Sequence, residues 1–451
     1  MSELLAQAHK ILERVEGSEH IEVFLSSGSD TEIEAYQGKI EKFSSATSAG
    51  VGIRILQESE GGARIGTAWA GSLDEDAVAT ALREARDNAR YASLDEYVTF
   101  ARPDGVAAVE LQLSDPAVAS TPLDEKIAMA IDLEKAVRSA DPRIRQVDSA
   151  GYTDYISEAA LASTFGVSAS YARTGAYLSV VAIATDGSSD QTGWGSSVGR
   201  SPRDLDGDVA TRDAVRRATR MLGAVKPTSM KTTAVFDPRT SATLLAIIGS
   251  ALSGEAVVRG RSFFAERLGE VVAAQCVSLV DDPTDVRHFA ASPFDGEGLA
   301  CRRNVLIENG QLRGFVYDTV SARRAGTRST GSALRGGIAG SPSAGCRALQ
   351  LASGAQTQEE IFRALGDGIF VESLTGVHSG VNPISGDFSV GITGLMIRNG
   401  EIAEPIREVT VASTLQRMLQ DVVMVGNDVE WLPGSAAGQS LAIAGISVSG
   451  S

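Results

Sequence analysis

The sequence predicts an α+β protein built mostly from antiparallel sheets with packed helices. Predicted strands and helices come in blocks rather than in strict alternation, which is typical of this class. The chain has 47 glycines but only 13 prolines, and the glycines separate short apolar runs as sharp turns between strands would. Asn-Gly pairs at 309–310 and 399–400 stand between alternating apolar arms, which favours type I′ hairpins.

The first half of the chain is predicted to contain a helix, a group of strands and three more helices. Apolar residues recur at helical spacing between residues 4 and 15, and the period then changes to two. A long helix begins at Ser72 or Asp74 as its N-cap and ends near residue 91. The predicted strands are 21–25, 31–36, 39–43, 51–56, 64–69, 147–150, 158–163 and 169–185, and the later helices are 123–140 and 206–222.

Two boundaries are predicted along the chain. The stretch 224–227, which ends in Lys-Pro, divides a domain of residues 1–225 from a domain of residues 226–451. Residues 93–122 contain three prolines and form a linker, which is an alternative sub-boundary. After residue 226 the predicted elements are a strand at 234–236, an apolar helix at 241–258, hairpins at 305–312 and 395–402, a helix at 413–422 and a strand at 441–448.

Charge and composition exclude several classes of protein. The net charge is −16 and the densest basic stretch, 216–220, lies in a helical pattern beside Asp213, so nucleic-acid binding is not expected. No apolar run approaches the ~20 residues of a membrane span. The first 16 residues lack the basic start of a signal peptide, and the three cysteines show no disulfide or CxxC spacing. The sequence therefore predicts a cytoplasmic protein that binds neither nucleic acid nor membrane.

The four histidines do not predict a metal site. No two of them lie at ligand spacing on one helix, and zinc needs three or four convergent ligands. His378 stands in a loop that also contains Asn382, Gly386 and Asp387. Such a loop can present backbone N–H groups to a ligand, or it can be an Asx-type structural turn. The residue types alone leave both interpretations open.

Several motifs, taken in chain order, resemble the TldD/PmbA family, whose members have long been labelled modulators of DNA gyrase. Residues 291–298 are similar to the family signature S-x-P-F-D-x-E-G, and residues 321–331 to its SAR-K-x-G and STG pattern. Residues 382–389 resemble its N-x-x-(S/T)-G-D-(F/Y)-S loop, and residues 425–428 its VG-x-D element. The resemblance covers essentially the whole chain and implies the two-domain architecture of that family.

The resemblance also implies that the family's zinc site is degenerate here. TldD-type members carry H-E-x-x-x-H on a helix, with a cysteine near the C-terminus as a further ligand. In the best register Gly254 and Arg259 stand at the histidine positions and only Glu255 is retained, while no cysteine follows Cys346. Glycine has no ligand atom, and arginine keeps its proton and would repel a dication. Glu255 and Arg259 can pair across one helical turn, either in place of the metal or as an ordinary surface pair.

The resemblance to the TldE/PmbA branch implies a role for such a chain. It would pair with a TldD-type H-E-x-x-x-H paralogue that carries the zinc, in a heterodimeric metallopeptidase that cleaves unfolded or short peptides. The chain itself would hold no metal and no catalytic residue, and the loop with His378, Asn382, Gly386 and Asp387 would lie near the substrate cavity. Two alternatives are a TldD/PmbA-type pair that hydrolyses a peptide or other C–N bond in a natural-product pathway, and a DNA-associated regulator, which the acidic charge disfavours.

Overall fold

The computed structural model describes residues 2–450. It contains long antiparallel strands and short helices, and the α+β class with antiparallel sheets is confirmed. The helices are α1 (Glu3–Leu12), α2 (Glu75–Tyr91), α3 (Ala117–Ser120), α4 (Leu123–Ala140), α5 (Gly207–Arg220), α6 (Pro238–Ala251), α7 (Gly254–Val258), α8 (Thr319–Arg324), α9 (Gln358–Leu365), α10 (Val377–Gly380) and α11 (Leu415–Gln420). No described helix is both long and apolar enough to cross a bilayer.

The strands before residue 200 form one six-stranded antiparallel sheet, called here the first sheet, in the order β3-β2-β1-β4-β5-β6. Its strands are β1 (His20–Tyr36), β2 (Lys39–Ser59), β3 (Gly62–Ala70), β4 (Ile144–Ser163), β5 (Ser168–Thr185) and β6 (Asp190–Gly199). Helices α1 and α2 bury their apolar faces against one end of this sheet, and α4 and α5 against the other end.

The strands after residue 229 form a second six-stranded sheet in the order β16-β15-β14-β7-β18-β17, together with two smaller sheets. In the second sheet β16 also pairs with β18, and β14 with β7 is the parallel pair. The strands of this half are β7 (Met230–Phe236), β8 (Leu279–Asp281), β9 (Asn304–Glu308), β10 (Gln311–Leu312), β11 (Ala333–Leu334), β12 (Ser343–Ala344), β13 (Leu349–Leu351), β14 (Gly368–Thr375), β15 (Asp387–Arg398), β16 (Glu401–Thr414), β17 (Val422–Val425) and β18 (Leu441–Ser449).

Several predicted elements differ from the structure. The short strands predicted at 21–25 and 31–36 are parts of β1, those at 39–43 and 51–56 are parts of β2, and those at 147–150 and 158–163 are parts of β4. The polar residues between them stay extended because β1 pairs with β2 on one side and with β4 on the other. The sequence patterns do not predict strand β6, because its sequence is rich in glycine and serine.

The helix predicted at 241–258 is two helices. Helix α6 ends at Ala251, and α7 begins at Gly254. Between them the hydroxyl of Ser253 donates to the carbonyl oxygen of Ala344 (2.9 Å), and the N–H of Gly254 donates to the carbonyl oxygen of Val316 (2.7 Å). These tertiary hydrogen bonds replace helical ones, so the chain turns away from the axis of α6.

The two halves of the chain meet through buried charges. Glu22 of β1 pairs with Arg54 of β2 (2.9 Å) and with Arg335, which follows β11 in the other half. A second ion pair between the halves joins Arg217 of α5 to Asp237 (3.0 Å). The predicted boundary between residues 225 and 226 stays a prediction; the N–H of Val225 donates to the carbonyl oxygen of Pro405 (3.0 Å).

Candidate functional site

Helix α7 carries the residues that the motif comparison placed at the lost metal site, and it borders a cavity of about 470 Å³. Two of the three predicted residues, Glu255 and Arg259, line this cavity and form an i,i+4 ion pair. The complete lining is Ala246, Gly249, Ser250, Ser253, Glu255, Ala256, Arg259, Arg261, Leu334, Ser343, Ala344, Gly345, Cys346, Leu349 and Ser435.

The third predicted residue, Gly254, is buried beneath an aromatic ring. A Cβ atom built on Gly254 would lie 2.1 Å from Cδ1 of Tyr317 and 2.3 Å from its Cε1. Real Cβ contacts are not this short, so a larger side chain would require the Tyr317 ring to move. The glycine therefore allows close packing of α7 against residue 317, and the space of a histidine imidazole at position 254 is already filled.

The remaining groups in the cavity do not supply a zinc site. Burial raises the pKa of the Cys346 thiol well above its usual value, and a metal ligand has to be the thiolate. The Glu255 carboxylate is neutralised by the Arg259 guanidinium. Within residues 2–450 no group of three or more His, Cys, Asp or Glu side chains has the arrangement to hold a metal ion. The residues around α7 thus do not fit the zinc site of the H-E-x-x-x-H type.

Two buried carboxylates, Asp295 and Glu297, lie in the motif at residues 291–298, one of those that carry the family resemblance. Asp295 accepts hydrogen bonds from the N–H groups of Glu297 (2.9 Å), Leu299 (3.0 Å) and Ala333 (3.0 Å). Glu297 accepts from both the N–H (2.9 Å) and the hydroxyl of Thr319 (2.7 Å). These bonds fasten the loop of residues 291–300 to the start of α8 and to β11. The acidic residues of this signature therefore have a structural role in this chain, and no catalytic role is needed to account for them.

The environment of these carboxyls shifts their titration. Burial, and then the neighbouring Asp295 and Asp318, raise the pKa of Glu297. Burial also raises the pKa of Asp295, although its three N–H donors oppose the shift. Asp281 is fully buried, which raises its pKa to about 6, while its Oδ1 accepts from the N–H groups of Arg347 (2.8 Å) and Ala348 (2.6 Å). Perturbed pKa values also arise in structural networks, and these groups are such a network.

The predicted cavity loop lies apart from this cavity in the single chain. His378, Asn382 and Asp387 are exposed, and Gly386 is buried with a φ of +83°. The side-chain oxygen of Asn382 accepts from the N–H groups of Ile384 (2.9 Å) and of Ser385 (3.2 Å), which is an Asx turn. No residue of 378–387 is among the described residues that line the cavity beside α7. A role of this loop in a cavity formed with a partner stays a prediction.

Sequence reasoning missed three polar residues of the cavity. Arg261, Ser343 and Ser435 line it beside the Glu255–Arg259 pair, although 343 and 435 are remote from α7 in sequence. No motif marks them, and only the packing of α6 and α7 against the chain around β12 brings them together.

Family models match most of the chain. Models described as PmbA/TldA metallopeptidase domain 1, central domain and C-terminal domain match residues 21–89, 116–222 and 229–450. The chain belongs to the PmbA/TldD metallopeptidase family. The resemblance inferred from the motifs is thereby confirmed.

Relatives named PmbA are similar over nearly the whole length. The chain is 29% identical to the metalloprotease PmbA of Escherichia coli O157:H7 over 416 residues, which is 92% of this chain and 88% of the relative. It is 26% identical to the PmbA homologue of Haemophilus influenzae over 91% of this chain and 88% of the relative.

Solved structures of PmbA/TldD type share the fold. A protein described as a modulator of DNA gyrase from Bacteroides thetaiotaomicron superposes with a TM-score of 0.89 at 27% identity, over 100% of both chains. TldE from Thermococcus kodakarensis superposes with a TM-score of 0.85 at 22% identity, over 99% of both chains, which supports the fold alone.

Proposed function

We propose that this chain is the metal-free, non-catalytic subunit of a heterodimeric metallopeptidase that cleaves unfolded or short peptides. The zinc and the general base would lie on a TldD-type partner with the H-E-x-x-x-H motif. The observation that carries the proposal is the contact between Gly254 and Tyr317. A ring fills the space that a metal-binding side chain at position 254 would need.

The ion pair beside this contact supports the same conclusion. Zinc hydrolysis needs a metal-bound water and a base that is free to accept its proton. Glu255 is held by Arg259, and the arginine adds a positive charge where a dication would bind. A cavity lies along α7, so the chain can contribute a wall to a chamber without contributing chemistry. The free cysteines Cys276, Cys301 and Cys346 agree with a cytoplasmic location for such a complex.

Co-expression tests the proposal. The chain is produced alone and together with a TldD-type paralogue from the same genome, and each product is analysed by size exclusion, metal content and cleavage of an unfolded peptide. We expect the chain alone to bind no stoichiometric zinc and to cleave nothing, and we expect the pair to elute as a complex and to cleave the peptide.

A pair of matched variants separates the two subunits' roles. Glu255→Gln in this chain should leave cleavage by the heterodimer nearly unchanged, while Glu→Gln in the partner's motif should abolish it. If Glu255→Gln abolishes turnover in an intact heterodimer, this chain takes part in the chemistry and the proposal is wrong. Stoichiometric zinc in the isolated chain after dialysis would contradict it equally.

A further inference from the structure

The cavity beside α7 carries an uncompensated positive charge. Three charged side chains line it: Glu255, Arg259 and Arg261. Glu255 neutralises Arg259, but no Asp or Glu among the described residues lies within ion-pair distance of Arg261. In a chain with a net charge of −16, the lining of this cavity therefore carries an excess of one positive charge, which favours an anionic ligand.

Two serine hydroxyls in the same cavity have no partner of their own. Ser343 and Ser435 line it, and neither hydroxyl makes a hydrogen bond to another described residue. A hydroxyl can both donate and accept. Arginine with nearby hydroxyl donors is the usual protein environment for a carboxylate, because the guanidinium presents parallel N–H groups to the two oxygens.

We propose that this cavity binds the C-terminal carboxylate of a short peptide, with Arg261 pairing with the carboxylate and Ser343 and Ser435 bonding to the peptide end. The volume of about 470 Å³ falls within the ordinary range of ligand pockets and is sufficient for a few residues. The Glu255–Arg259 pair forms the neighbouring wall, so the helix with the degenerate motif would border the bound ligand. The choice of peptides as the ligand class rests on the proposed function, whereas the carboxylate rests on Arg261.

The test measures binding by the purified full chain alone, so it does not depend on cleavage or on a partner. The probes are N-acetyl-trialanine with a free carboxylate, the same peptide as a C-terminal amide, and N-acetyl-Ala-Glu-Ala amide. Binding of each probe is measured by NMR titration or by calorimetry. We expect the free acid to bind at least about tenfold more tightly than the amide, as loss of a charge-assisted pair implies.

Substitutions test whether Arg261 is the residue that binds the carboxylate. Arg261→Gln should reduce binding of the free acid to the level of the amide, and Arg261→Lys should retain part of it. Arg212→Gln is the matched control, since Arg212 is exposed on α5, outside the cavity lining and without an ion-pair partner among the described residues. Arg261 is exposed, so the substitution should leave the fold intact, which circular dichroism checks.

Each outcome decides the proposal. Equal affinity for acid and amide, no binding of any probe, or unchanged binding by Arg261→Gln overturns it. Binding of the glutamate-containing amide with no preference for the free acid shows that a side-chain carboxylate is the ligand and overturns the C-terminal assignment. None of these results bears on whether the heterodimer cleaves peptides, so failure here is distinct from failure of the proposed function.

Discussion

Tyr317 packs its ring directly over Gly254, at a position where any Cβ would lie 2.1 Å from a ring carbon. A backbone hydrogen bond joins the same two segments, because the N–H of Gly254 donates to the carbonyl oxygen of Val316. This bond holds the backbone before Tyr317 close to α7, so the ring lies next to Gly254.

Gly254→Ala should lower the free energy of unfolding by about 1–3 kcal/mol, because the added methyl group overpacks the contact with Tyr317. Gly71→Ala is the control, since a Cβ at Gly71 meets nothing within 4 Å. Urea unfolding of both variants measures the difference. A Gly254→Ala variant as stable as the control would show that the ring moves aside freely.

Restoring the motif histidines should not restore metal binding. In the double variant Gly254→His and Arg259→His, the first imidazole meets the Tyr317 ring, and residues 2–450 offer no third ligand. We expect no stoichiometric zinc by elemental analysis after dialysis. Adding Tyr317→Ala to the double variant removes the clash with the ring. The triple variant therefore tests whether the missing third ligand alone prevents zinc binding. Zinc retained by the double variant alone would contradict the argument.

Glu297→Gln should change how stability depends on pH. Burial and two neighbouring carboxyls raise the pKa of Glu297 from its ordinary value of 4.5 to about 8. A raised folded pKa means that the folded state binds the proton more tightly, so this contribution to stability is complete below pH 4.5 and is lost as pH rises through about 8. The wild-type chain should therefore lose stability relative to Glu297→Gln across that interval, by at most about 1.4 kcal/mol per pH unit.

Urea unfolding between pH 5 and 9 tests this prediction. The exposed Glu60→Gln is the control and should run parallel to the wild-type chain. A constant difference between Glu297→Gln and wild type across the whole range would refute a proton held at Glu297.

Glu22→Gln should lower the free energy of unfolding by weakening the interface between the two halves of the chain. Burial alone would raise the pKa of Glu22, but Arg54 and Arg335 hold it below the ordinary value, so the carboxylate is charged between two buried guanidinium groups. Removing its charge leaves both arginines uncompensated, which costs about 3–5 kcal/mol. Glu32→Gln is the matched control on the same strand, because its pair with Lys42 is exposed to solvent and contributes little to stability. Similar losses in the free energy of unfolding for the two variants would show that the buried network contributes no more stability than the exposed pair.

Asn382→Ala should reduce peptide cleavage by the heterodimer without separating the subunits. The substitution removes the two hydrogen bonds from Ile384 and Ser385 that shape the loop. Asn382→Asp keeps the acceptor oxygen and is the control. Cleavage assays together with size exclusion distinguish a shape effect from loss of assembly, and unchanged cleavage by Asn382→Ala would exclude the loop from the substrate path.

The sequence by itself determined the features that depend on local chemistry. The Asn-Gly pairs give hairpins with φ of +48° at Asn309 and +52° at Asn399, as their turn type requires. Asp74 caps α2 through the N–H of Ala77 (2.8 Å), and α4 spans the residues predicted for it. Motif order was also sufficient for the family, because a signature is a property of the chain and not of its packing.

Only the tertiary structure decided how the polar segments behave and what surrounds α7. The serine-rich stretches of β1 and β2 stay extended because neighbouring strands satisfy their backbone groups, which no local pattern encodes. The break between α6 and α7 depends on hydrogen bonds to residues 316 and 344. The same packing places a ring over Gly254 and brings Arg261 together with Ser343 and Ser435. Contacts between residues so distant in sequence depend on the whole fold. For this reason the residues that line the cavity are known only from the tertiary structure.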